Sequence, residues 1–128
     1  MVNFFELVLF SFLTGNADMH LKNFSLPEQP GLGMTLSPAY DLVNTALVNP
    51  ADEEEMALTL NGRKKKLKKQ DFVAAMNTLK VDEKQQKNIF NKMAKALPQW
   101  QELIDRSCMN DEFKEQYKTI LSERINRL

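Results

Sequence analysis

A mainly α fold of the α+β class, with about five helices and one or two short β-hairpins, follows from three features of this 128-residue chain. The first is a nearly uninterrupted apolar run, Val2 to Leu13. The second is a set of apolar residues recurring at helical spacing from Gln70 onward. The third is a pair of turn signals, Pro27 to Gly33 and Asn61-Gly62, each set between short extended stretches. A chain this long makes one domain and removes ~65–70% of its unfolded surface on folding.

Composition excludes several classes of function. The 43% apolar and 27% charged content is that of an ordinary globular protein. Seventeen basic and seventeen acidic residues cancel, so neither direct nucleic-acid binding nor attachment to acidic membranes is expected. Cys108 stands alone and cannot close an internal disulfide, which suits a cytoplasmic, reducing compartment. In a helical stretch such a thiol is expected as a small buried apolar group.

The run Val2 to Leu13 is shorter than the ~20 residues of a membrane span, and Glu6 interrupts it. It also lacks the positive flank and small-residue cleavage site of a signal peptide. A helix apolar on nearly every side is a core helix, and Gly15 is placed to end it in the left-handed conformation. Phe24-Ser25-Leu26 and Met34-Thr35-Leu36-Ser37 then make the arms of a hairpin across a Pro- and Gly-rich turn. Gly31 and Gly33 supply only a G-x-G, which fits a plain turn better than a phosphate cradle. Leu42 to Thr45 is a short extended or helical piece.

Met56 to Leu60 and the arm from Arg63 to Lys69 form a second hairpin candidate around Asn61-Gly62, a pair suited to a type I′ turn. The basic arm is read as a solvated edge protected by lysines, with a phosphate-facing or partner-facing role as the alternative. The triplet Glu53-Glu54-Glu55 is likewise a solvated face rather than a metal site. Phe72, Val73, Met76 and Leu79 stripe the next helix. Ile89, Met93, Leu97, Trp100 and Ile104 stripe the one after, which Asp82 caps and Pro98 should kink or split. Asn110 caps a last helix carrying Phe113, Tyr117, Ile120, Leu121, Ile125 and Leu128.

The chemistry-bearing stretch lies between the core helix and the first hairpin, in Asn16-Ala17-Asp18-Met19-His20-Leu21-Lys22-Asn23-Phe24-Ser25. Asp18 and Asn23 stand five apart, the spacing of a carboxylate base and a metal-binding amide in a kinase catalytic loop. Asp41, eighteen residues after Asn23, comes back on the far arm of the hairpin, where a second oxygen ligand would be needed. Phosphoryl transfer uses these residue types: a carboxylate to take the hydroxyl proton, and hard oxygen donors to hold magnesium. Taken singly, Asn16 and Asp18 read equally well as turn-formers or caps.

Together these motifs, with Leu36-Ser37-Pro38-Ala39-Tyr40-Asp41-Leu42-Val43 and Met56-Ala57-Leu58-Thr59-Leu60-Asn61-Gly62, resemble the C-terminal lobe of HipA-type kinases, the toxins of bacterial HipBA toxin–antitoxin modules. The resemblance covers about the first 75 residues by motif and the helical remainder in general character. It implies a kinase-like C-terminal lobe over residues 1–128, a transferase that uses ATP and magnesium to phosphorylate serine or threonine in a protein. Asp18 would be the catalytic aspartate, with Asn23 and Asp41 as magnesium ligands. His20 would orient the loop or contact the transferred phosphate, unless it is simply a hydrogen-bonded structural residue. Lys22 would offset phosphate charge in the cofactor site, or else face solvent.

The implied partners are a DNA-binding antitoxin, a substrate such as an aminoacyl-tRNA synthetase, and an N-terminal kinase lobe. A Gly-rich phosphate loop and a strand lysine are not found in this chain, so it is expected to be inactive alone. Asn16-Ala17 in place of the His-Arg of eukaryotic-type kinases, and Leu42 in place of the Phe after the metal Asp, remove any basis for importing their activation-loop logic. A non-catalytic helical interaction module or degenerate remnant stands as the alternative, opposed by the intact set of Asp18, Asn23 and Asp41.

Overall fold

The computed structural model describes residues 1–128. Helix α1 (Val2–Leu13) leads through a loop and one 3-10 turn (Leu21–Asn23) to strands β1 (Glu28–Gln29) and β2 (Gly33–Met34). Helices α2 (Thr45–Val48), α3 (Lys69–Thr78), α4 (Glu83–Arg106) and α5 (Asp111–Ile125) complete the chain. The fold is therefore mainly helical, with five helices and one small antiparallel sheet, as the sequence predicts. No helix is long and apolar enough to cross a membrane.

The core forms around α1, which buries Phe5, Val8, Leu9, Phe12 and Leu13 against α4 and α5. Each such side chain contributes about 1.5–3 kcal/mol by leaving water. Phe12 meets Phe72 of α3 with ring centroids 5.0 Å apart, and Phe10 meets the edge of Trp100 of α4 at 5.3 Å. Ile89 and Met93 of α4 and Leu121 of α5 close the same cluster. The helices begin where their caps dictate. Asp82 accepts the Gln85 N–H at 2.8 Å, and Asn110 accepts the Phe113 N–H at 2.8 Å.

Four expectations change on contact with the structure. Helix α4 runs unbroken through Pro98. Pro98 and Ala94, whose carbonyl loses its donor, both lie on the exposed face, where water can satisfy that carbonyl. The first hairpin is laddered only near its tip, Glu28 opposite Met34 and Gln29 opposite Gly33. Its arms are joined more sparsely, by Thr35 N–H to the Pro27 carbonyl at 3.2 Å and Ser37 N–H to the Ser25 carbonyl at 2.9 Å. Pro27 has no N–H with which to return the first of these bonds. Cys108 is exposed, because the α4–α5 connection turns the neighbouring Met109 toward the core instead.

The second hairpin reduces to its turn. Leu60 and Arg63 exchange both backbone bonds, at 2.8 and 2.9 Å, around Asn61 (φ 50°) and Gly62 (φ 75°), which is the type I′ geometry expected. Beyond it the basic arm breaks at Lys66 (φ 54°) and drives Leu67 into the core. The arm is held by the acidic triplet. Glu53 pairs with Lys65 at 2.8 Å, Glu54 with Lys64 at 3.4 Å, and Glu55 with Arg127 at 2.8 Å. Glu55 also accepts the Leu67 N–H at 2.9 Å.

Asp71, in the first turn of α3, is almost wholly buried. Burial alone would push its carboxyl up. The Asn61 amide at 2.9 Å, the Lys68 N–H at 2.9 Å and nearby Arg63 outweigh that and hold it below its ordinary range. A carboxylate depressed in the folded state stabilises the fold above its unfolded pKa and loses that contribution as pH falls through the folded one. Asp71→Asn should therefore destabilise the protein by about 1–2 kcal/mol at neutral pH in urea titrations. The gap from wild type should narrow as the buffer is taken below the ordinary carboxylate range, and a gap independent of pH would contradict this account.

Candidate active site

The loop after α1 is rooted by the way that helix ends. Gly15 (φ 76°) donates its N–H to the Phe12 carbonyl at 3.3 Å, and Asn16 donates to the Ser11 carbonyl at 2.9 Å. This is the double bond pattern of a Schellman cap. Helix α2 then grips the root. The Thr45 hydroxyl donates to the Gly15 carbonyl at 3.1 Å and accepts the Ala17 N–H at 2.9 Å, and the Ala46 N–H gives the Gly15 carbonyl a second bond at 3.1 Å.

From that root the chain alternates. Asn16 and Met19 are buried, whereas Asp18 and His20 face solvent. The Asn16 side chain accepts the Asp18 N–H at 3.1 Å, an Asx turn that presents the Asp18 carboxylate outward. His20 Nε2 lies 3.4 Å from Asp18 Oδ1, and both side chains are about half exposed, 51% and 50%. The His20 N–H donates to the Asp18 carbonyl and the Asn23 N–H to the His20 carbonyl, each at 2.9 Å, so the 3-10 turn carries the chain directly from one pair of groups to the next.

That next pair spans the hairpin. Asn23 Nδ2 donates to Asp41 Oδ2 at 2.6 Å, although Asn23 is only 3% exposed. Its Oδ1 is buried and has no hydrogen-bond partner. Asp41 sits at φ 55°, a conformation that costs a non-glycine residue free energy unless its surroundings fix it. A third contact lies beside these two: the Tyr40 hydroxyl is 2.5 Å from Ser25 Oγ and donates to the Lys22 carbonyl at 3.1 Å.

The five residues singled out in the sequence thus fall into three settings. Asn23 and Asp41 are brought into contact, Asp18 and His20 form a neighbouring exposed pair, and the Lys22 side chain points to solvent while its carbonyl is used by Tyr40. Sequence reasoning passed over Tyr40, Ser25 and Thr45. Their signal was position: Tyr40 adjoins Asp41, Ser25 lies two residues beyond Asn23, and Thr45 opens the first helix after the hairpin.

The family model for the HipA-like C-terminal domain matches residues 1–101. The chain belongs to that family. Putative kinase Y4dM of Sinorhizobium fredii (strain NBRC 101917 / NGR234) is 46% identical over 65 residues, half of this chain and 15% of that protein. A chain of the Shewanella oneidensis MR-1 toxin–antitoxin complex of HipA, HipB and operator DNA superposes with a TM-score of 0.81 at 26% identity. The superposition takes in 98% of this chain and 31% of the Shewanella one. This HipA-like domain therefore spans less than a third of that structural relative. Helix α5 lies outside the residues matched by the family model but inside the superposed region as far as near-complete coverage extends.

Gly15 is the residue on which the loop root turns. A Cβ there would stand 2.4 Å from Asn44 Oδ1 and 3.1 Å from the Ala46 side chain, on a backbone at φ 76°. Gly15→Ala should cost about 1–3 kcal/mol of stability. It should also shift the amide resonances of Thr45 and Ala46. A change within about 0.5 kcal/mol, the range of an ordinary surface substitution, would show that the root is looser than described.

Proposed function

We propose that this HipA-like domain supplies the catalytic base and the magnesium ligands of an ATP-dependent protein serine/threonine kinase. The observation that carries the reading is the Asn23–Asp41 contact. Two oxygen-bearing side chains eighteen residues apart are held together, and one buried amide oxygen, Asn23 Oδ1, is left without a partner. A buried acceptor without a donor costs about 1–3 kcal/mol, a cost that a cation or an ordered water at this oxygen would relieve. A hard cation fits it, because amide and carboxylate oxygens are the donors magnesium takes. When bound, magnesium would neutralise charge on the phosphates of ATP.

In this reading Asp18 orients a substrate hydroxyl and takes its proton, which its exposed position on the Asx turn permits. His20 steadies the Asp18 carboxylate from 3.4 Å, and Lys22 lends positive charge from the solvent side. The remaining phosphate contacts would come from an N-terminal kinase lobe. A protein substrate, an aminoacyl-tRNA synthetase by the family resemblance, and a DNA-binding antitoxin would be its partners in the cytoplasm. The Shewanella relative, solved with HipB and operator DNA, supports the antitoxin. Direct DNA binding is not expected, since the seventeen basic and seventeen acidic residues cancel.

The alternative, a non-catalytic interaction module, is favoured by one feature. An open groove of about 720 Å³ runs between α1, α4 and residues 36–42, lined by Leu7, Phe10, Pro38, Leu42, Met93 and Trp100. Phosphoryl transfer separates the two readings. The product of the complete source reading frame should transfer the γ-phosphoryl of ATP to protein only with magnesium present. Asp18→Ala should lower that rate by about 10²–10⁴-fold without unfolding the chain. Full activity in Asp18→Ala would remove the role given to Asp18, and no transfer by the wild-type product would favour the interaction module.

A further inference from the structure

We infer that Tyr40 is a positioning residue, whose hydroxyl sets the separation of Asn23 and Asp41 and thereby tunes the pair for a small divalent cation. The inference rests on the magnesium-site reading above and assigns a role to a residue outside the ligand set. Tyr40 Oη meets Ser25 Oγ at 2.5 Å and donates to the Lys22 carbonyl at 3.1 Å. These two contacts fall on the residue before Asn23 and the residue two after it, while Tyr40 itself immediately precedes Asp41. One phenol therefore ties both flanks of one ligand to the flank of the other.

The backbone near the pair does not supply this restraint. The laddered residues of the hairpin, Glu28–Gln29 and Gly33–Met34, lie at its far tip. Between tip and site the arms share only the bonds from Thr35 to Pro27 and from Ser37 to Ser25. Asp41 meanwhile holds φ 55°, from which it can relax if nothing fixes its neighbour. The Tyr40 contacts close the base of the hairpin, where Ser25 is already bonded through its carbonyl to Ser37.

Cation size makes the role measurable. Magnesium demands nearly ideal octahedral geometry at ~2.0–2.1 Å, whereas calcium accepts flexible coordination at ~2.3–2.6 Å. Loosening the ligand pair should therefore penalise magnesium far more than calcium. General damage to the fold would weaken both alike.

The experiment uses the 128-residue chain, with Mn²⁺ as a paramagnetic probe, following broadening of the Asn23 side-chain amide and Asp41 backbone resonances. Mg²⁺ and Ca²⁺ are then titrated as competitors. The wild type should show saturable broadening at both residues. Tyr40→Phe should weaken Mg²⁺ competition about fivefold, the effect of two modest hydrogen bonds, with Ca²⁺ nearly unaffected. Ser25→Ala should move Mg²⁺ affinity in the same direction by less, and combining it with Tyr40→Phe should add little. Should Tyr40→Phe fail to fold, Ser25→Ala alone decides by the same Mg²⁺-against-Ca²⁺ comparison. Unchanged Mg²⁺ affinity, or equal losses for the two cations, overturns the role of Tyr40 while leaving the metal site standing. Absence of saturable broadening in the wild type overturns the metal site itself, and this inference with it.

Discussion

The Phe12 carbonyl accepts from the Gly15 N–H of the Schellman cap and, from across the core, from the buried guanidinium of Arg124 on α5. The Phe12 ring packs against Phe72 and lies beneath both Arg124 and Arg127, each about 5.2 Å from its centroid. A buried guanidinium is costly to desolvate, and a charge-assisted bond to the second lone pair of a helix-terminal carbonyl offsets part of that cost. The end of α1 is thus fixed by apolar packing and by charge together. Every residue from Asn16 to Asn23 inherits its position from that end.

Arg127 extends the same tie to the surface. It pairs with Glu55 at 2.8 Å, and Glu55 in turn accepts the Leu67 N–H, which seats Leu67 in the core. Glu53 and Glu54 add exposed pairs to Lys65 and Lys64, worth little singly in water, and tether the middle of the basic arm to the acidic triplet. Acid triplet and basic arm, seemingly unrelated in the sequence, form one clasp that closes the long connection between α2 and α3 against the last helix. That connection carries almost no regular structure. Its order comes from the type I′ turn, the clasp and three buried anchors, Met56, Leu60 and Leu67.

What was legible in the sequence was governed by local rules. The apolar run of α1, the Gly15 stop, the caps Asp82 and Asn110 and the Asn61-Gly62 turn each follow from residues within a few positions of one another. The D-x₄-N spacing and the returning Asp41 were legible because Asn23 and Asp41 lie on either side of one hairpin. Other features depend on distant partners. Pro98 leaves α4 whole because its lost bond falls on a solvent-facing side, which depends on how α4 packs. Arg124 has its role only once α5 has docked on α1, 112 residues away in sequence. Tyr40 could be seen beside Asp41, but its contacts with Ser25 and the Lys22 carbonyl needed the hairpin's register.

The hairpin that joins the two candidate ligands is an unusual choice of support. Two-stranded ribbons are marginal in water, and this one has a ladder of only two residue pairs with both of its short strands exposed. Its open end is held by side chains instead, through Asn23 to Asp41 and Tyr40 to Ser25, while Thr45 and Ala46 bind the chain that follows back onto Gly15. The tip is therefore free to vary in sequence and shape without moving the base, provided the arms stay long enough to reach it. Precision is concentrated where the chemistry would need it: at the end of a buried helix, on one glycine, and in a ring of short polar contacts between the two arms.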